Sequence, residues 1–169
     1  WNTPEATIEA AVTEAARRSL SIMIGTTRNE FQGFNPCRDA AGKYQNRRNQ
    51  ILRFDGPAMA FATRAANAGC DVWKFRFDWQ AKDTPFEACH CIELPFVFGN
   101  LDAWGEKALM LEGADMGEME RMRDFIQPFW CRFIQNGDQD AAEWPRYSEQ
   151  KPVHKIFDNK DNGLMEIIL

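Results

Sequence analysis

The spacing of apolar and polar positions changes along the chain, and each change predicts an element. Trp1-Asn2-Thr3-Pro4-Glu5 reads as a helix start. Thr3 caps, Pro4 takes the first helical position, and Glu5 sits at the positive end of the helix dipole. The Ala-rich stretch to Arg18 continues that helix. Leu20-Ser21-Ile22-Met23-Ile24-Gly25 is a short apolar run ending in glycine, the pattern of a buried strand. Thr26 to Pro36 follows as a polar loop that carries Phe31 and Phe34. Lys43 to Asn49 is polar and basic, a loop or a solvated helix face. Asp55-Gly56-Pro57 then opens a second helix running to Ala68, with Gly69 placed for a left-handed terminus.

The plainest strand is Val72 to Trp79. Trp73, Phe75, Phe77 and Trp79 fall on one face, and Val72, Lys74, Arg76 and Asp78 on the other. A loop from Gln80 to Ala88 leads into Cys89-His90-Cys91-Ile92-Glu93-Leu94-Pro95-Phe96-Val97-Phe98-Gly99. The longest helix comes next, with Asp115 and Glu118 spaced as a capping-box-like start. Met119, Met122, Ile126, Phe129, Trp130, Phe133 and Ile134 recur at three-to-four spacing, an apolar stripe for core packing. Pro128 inside the stripe predicts a kink, and Asn136-Gly137 ends the helix. Val153 to Asp158 and Leu164 to Leu169 read as short terminal strands. Helices alternating with strands in this order predict an α/β fold whose parallel sheet strands are flanked by helices. No repeat or linker divides residues 1–169.

Composition excludes several classes. Hydrophobic residues make up 44% of the chain and charged residues 27%, an ordinary globular balance. The net charge of −5 gives no general attraction to nucleic acid or to an anionic membrane. No apolar run approaches the roughly 18 residues of a membrane-spanning helix. The five cysteines (Cys37, Cys70, Cys89, Cys91 and Cys131) are odd in number and lack paired spacing, so no disulfide framework is expected. That usage, with no Asn-x-Ser/Thr acceptor, favours a cytoplasmic setting, although the compartment itself is not legible. The start at Trp1, without Met, suggests further chain upstream.

Two loops beyond predicted strands each carry one ionisable side chain, Glu30 and His90. Sites in open α/β sheets form beyond the carboxyl ends of strands. A carboxylate that orients a histidine, which then acts as general base, is two thirds of a hydrolytic triad. Taken singly, a histidine beside apolar sequence is more often structural and a loop glutamate more often solvated. Cys89-His90-Cys91 offers little to a metal or a thiol mechanism. Adjacent side chains in an extended segment point apart, and the other cysteines stand at unsuitable spacing. No metal and no cofactor are expected.

Gly25-Thr26-Thr27-Arg28-Asn29-Glu30 resembles the acid-bearing segment of type-B carboxylesterases, the α/β-hydrolase family that includes the cholinesterases. The run from Ala88 to Gly99 is very similar to that family's segment around the catalytic histidine, and Val72 to Asp78 resembles the strand before it. Phe133 to Gly137, Trp144-Pro145-Arg146-Tyr147 and Ile156-Phe157-Asp158 resemble its closing helix and final strand. The resemblance runs from about Leu20 to about Asp158, and the order acid then histidine agrees with it. It implies hydrolysis of small carboxylic esters through a serine acyl-enzyme, with Glu30 as triad acid and His90 as general base. Glu93 would support the histidine without joining the triad. Phe31, Phe34 and Phe86 are candidate pocket walls or core residues.

The departures from that family are as informative. Its nucleophile lies in a Gly-x-Ser-x-Gly elbow upstream of the acid, and no such elbow is present. The only serines are Ser19, Ser21 and Ser148, and the glycine-rich oxyanion segment is missing too. The interval from Glu30 to His90 is shorter than the family usually shows, and Phe86-Glu87 stands where it tends to have a glycine. The chain therefore reads as the C-terminal part of such a hydrolase, inactive alone, with the N-terminal part or another chain as partner. A non-catalytic interaction module of the same fold is the alternative. A bared sheet edge predicts a partner-bound, homo-oligomeric or poorly soluble chain.

Overall fold

The computed structural model describes residues 4–104, 108–158 and 163–166. Thr3 and residues 167–169 of the expected last strand lie outside them. Four strands, β1 (Ser21–Thr27), β2 (Asp71–Phe77), β3 (Val153–Phe157) and β4 (Leu164–Glu166), form one sheet in the order β1-β2-β3-β4. The first three are parallel, with Ile22 opposite Val72 and Phe75 opposite Lys155. β4 runs antiparallel to β3, so the sheet is mixed rather than wholly parallel.

Side chains alternate across β2 as its pattern predicts, and each face meets a different layer. Trp73, Phe77 and Phe157 pack with Met119, Met122, Ile126 and Phe129 of the long helix Met116–Asn136. Val72 packs on the other side with Val12 of helix α1 (Pro4–Arg17) and with Ala62 and Ala65. Two buried indoles tie the C-terminal segment to the sheet: Trp73 Nε1 donates to the Trp144 carbonyl and Trp144 Nε1 to that of Lys74. Asp115 caps the long helix by accepting from Glu118 N, and Gly137 closes it at φ +70°. Among the described residues no helix is long and apolar enough to cross a membrane.

Lys43 to Asn49 belongs to a helix, α2 (Ala40–Gln50), capped by Asp39, whose side chain accepts from Gly42 N. Lys43, Arg47 and Arg48 lie on its solvated side, while Asn46 and Gln50 are buried. A π-helical turn, Ile51–Asp55, joins α2 directly to α3 (Gly56–Asn67). Asp55 thus sits in helical backbone and does not open a new helix. Its carboxylate accepts from Gln50 Nε2 and Arg47 instead of capping. Gly56 permits the turn: its N–H reaches the Ile51 carbonyl, and a Cβ there would come 2.8 Å from that oxygen. Two short helices, α4 (Leu94–Phe98) and α5 (Leu101–Trp104), precede the long helix, α6.

Candidate active site

The two loops singled out by sequence meet beyond the carboxyl ends of β1 and β2. Main-chain hydrogen bonds tie the first loop to the end of β2, Arg28 N to the Phe77 carbonyl at 2.9 Å, and to the second loop, Asn29 N to Ala88 at 2.9 Å and His90 N to Glu30 at 3.3 Å. Gly33 lies close against the second loop, where a Cβ would stand 3.3 Å from His90 N and Cβ. Glu87 and Cys91, on either side of His90, hold φ of +50° and +67°. Such left-handed backbone at non-glycine residues is strained and collects at functional sites.

Glu30 opens a 3-10 turn (Glu30–Gly33) and is buried. Its Oε1 accepts from Thr27 N at 2.7 Å, and its Oε2 lies 2.6 Å from His90 Nδ1. An ionised carboxylate in that position fixes the tautomer with hydrogen on Nδ1. Nε2 is left as an acceptor with no partner among the described residues. The His90 side chain is 45% exposed against 7% for Glu30, so the imidazole faces outward and the carboxylate beneath it does not.

His90 and Glu30 line a cleft of about 490 Å³ with Ile24, Phe54, Phe61 and Glu93. The Phe34 and Phe54 rings stand 5.2 and 5.6 Å from the imidazole. Phe31 backs both, at 5.6 and 5.9 Å, and itself lines a neighbouring cleft. Phe86 does not join them: it packs against the main core. Phe54, delivered by the π turn, was not legible in advance. The one hint is an apolar cluster, Ile51-Leu52-Arg53-Phe54, after a polar helix, and spacing alone does not aim it at the histidine.

Glu93 reaches the cleft from the start of α4, with its Oε2 buried and unpartnered among the described residues. Burial pushes this carboxyl up, and the Glu30 charge adds to the rise. Cys89 is buried, and its thiol is pushed up to about 12, chiefly by desolvation. The Cys91 thiol is raised as well, by burial and by Glu93. Both shifts oppose a thiolate nucleophile, which needs a lowered pKa. Among the described residues no group of three His, Cys, Asp or Glu side chains is arranged to hold a metal ion. None of the three serines lines the cleft. Ser21 begins β1 at the opposite end from Glu30, Ser19 precedes that strand, and Ser148 bonds Lys151 N near the start of β3.

Comparison with known proteins gives the setting. The sequence profile of the carboxylesterase family matches residues 49–166. The chain is 33% identical to the para-nitrobenzyl esterase of Bacillus subtilis (strain 168), over 90% of this chain and 37% of that protein. It is 32% identical to a probable N-octanoylanthranilate hydrolase of Rhodococcus erythropolis, over 88% of this chain and 35% of that one. A solved thermophilic pNB esterase superposes with a TM-score of 0.74 at 27% identity, over 94% of this chain and 38% of that one. A Geobacillus stearothermophilus carboxylesterase gives 0.74 at 20% identity, a likeness of fold, over 94% of this chain and 40% of that one. The chain thus spans little more than a third of the length of the curated relatives it matches.

Proposed function

Because the chain belongs to the carboxylesterase family, we propose that it carries the acid and the base of a serine carboxylic-ester hydrolase. Glu30 is the acid and His90 the base, and the nucleophilic serine and oxyanion donors come from residues outside this sequence. The observation that carries the reading is the 2.6 Å contact of Glu30 Oε2 with His90 Nδ1 below a half-exposed ring. His90 Nε2 takes the serine proton as Oγ attacks the ester carbonyl. It then returns that proton to the departing alcohol, leaving an acyl-enzyme. A water molecule, deprotonated by the same nitrogen, releases the carboxylic acid and restores the serine. Glu30 stays ionised throughout and stabilises the transient imidazolium.

Glu93, its carboxyl pushed up by burial, lies beside the pair and serves as support for the histidine. Phe34 and Phe54 form an apolar wall for the substrate next to the imidazole. The names of the relatives, a para-nitrobenzyl esterase and a probable hydrolase of an acylated anthranilate, suit a small organic substrate with an aromatic part.

A second reading, a non-catalytic interaction module, draws on the absence of all three serines from the cleft. A fluorophosphonate probe separates the two. The esterase reading expects serine labelling in a partner that co-purifies with the chain, abolished by His90→Ala here. No labelling in any assembly containing the chain would sink it in favour of the module.

A further inference from the structure

Beside the His90 cleft lies another, of about 340 Å³, that shares none of its lining residues. Its walls come from the loop carrying Glu30, from the polar side of α2, and from the loop before His90. Three cations, Arg28, Lys43 and Arg47, stand against a single carboxylate, Glu87, in a protein whose overall charge is −5. Lys43 pairs with Glu87 at 2.6 Å and Arg47 with Asp55 at 2.8 Å. Exposed pairs of this kind are weak and exchange readily for another anion. The exposed Arg28 guanidinium has no hydrogen bond or ion pair among the described residues.

The floor contributes a demand of opposite sense. Gln50 is 2% exposed and lines the cleft. Its Nε2 donates to the Thr27 carbonyl and to Asp55 Oδ1, and its Oε1 is buried with no donor. A buried acceptor left without a hydrogen bond is unfavourable and is relieved by a ligand N–H or O–H. The Phe31 ring adds an apolar wall. Cations, an acceptor in search of a donor and an aromatic face together define one ligand chemistry.

We propose that this cleft binds a small organic carboxylate that also bears a hydroxyl or amino donor on an apolar or aromatic body. The carboxylate sits among Arg28, Lys43 and Arg47, its donor bonds Gln50 Oε1, and its body lies on Phe31. The site is separate from the ester cleft, yet it touches the backbone that positions the acid: Gln50 holds the Thr27 carbonyl, and the Thr27 N–H holds Glu30.

Titration calorimetry of the full chain at low ionic strength tests this without ester turnover, with 3-hydroxybenzoate as probe. Saturable one-to-one binding is expected. Loss of one charge-assisted contact in Arg28→Gln should weaken it about tenfold. Lys43→Gln provides a second reading at an exposed position, and Arg53→Gln, in the His90 cleft, should leave binding unchanged. Benzoate, lacking the donor, and inorganic phosphate, lacking the apolar body, should both bind more weakly. Absence of binding, equal affinity in Arg28→Gln and Lys43→Gln, or tighter binding of phosphate would overturn the assignment.

Discussion

Glu30 gives one oxygen to the Thr27 amide and the other to the imidazole, so its position is fixed by backbone and its charge is spent on His90. The second histidine is in the opposite situation. His154, on β3, is buried with neither ring nitrogen hydrogen-bonded among the described residues. Burial, reinforced by Lys74 and Arg76, pushes it down from the usual 6.5 to about 3. Below pH 6.5 the unfolded chain takes up a proton that the folded chain refuses. The stability tied to a neutral His154 is therefore complete above pH 6.5 and declines as pH falls toward 3, by up to about 1.4 kcal/mol per pH unit. Urea unfolding of the chain and of His154→Leu at several pH values measures this. The variant should lose most of the slope between pH 6.5 and 4, and an unchanged slope would place its origin elsewhere.

The π turn between α2 and α3 shows how a rare backbone element aims a side chain. It brings Phe54 to the His90 ring and Asp55 to Gln50 and Arg47. Gly56→Ala sets two effects against each other. Alanine favours helix over glycine by about 1 kcal/mol, but its Cβ would meet the Ile51 carbonyl oxygen at 2.8 Å. A backbone atom cannot swing away, so crowding of about 1–3 kcal/mol should win and the variant should melt lower. A rise in melting temperature would show that the turn reverts to regular helix at no cost. Among the elements, β2 and α6 were legible because their apolar periods match their packing. The burial on α2 was not, because the side-chain N–H groups of Asn46 and Gln50 donate to Gln32, the Thr27 carbonyl and Asp55, which hydropathy does not register. Glu30 and His90 stand 60 residues apart, and no local pattern joins them. Their shared place in loops beyond predicted strands and the resemblance of both segments to one family did so. Phe86 takes the second of its two readings, core rather than pocket wall, because sequence does not say which way a loop side chain turns.

At the scale of the whole molecule, the sheet order leaves β1 at one edge, with no strand beyond it among the described residues. Unpaired parallel edges recruit other strands. The chain expressed by itself should therefore run as an oligomer or aggregate in size-exclusion chromatography with light scattering. A monodisperse, cooperatively unfolding monomer would count against this. The serine-bearing part proposed for the esterase would approach from outside, toward a clasp that already exists. Two main-chain hydrogen bonds, Asn29 N to Ala88 and His90 N to Glu30, close that clasp between the two loops alongside the Glu30–His90 side-chain contact. Those bonds use amides and carbonyls common to nearly every residue, whereas at Gly33, packed against His90, the side chain itself is limited. The Glu30–His90 contact thus behaves as a gauge set by backbone, and the ester chemistry proposed for it takes that spacing as given.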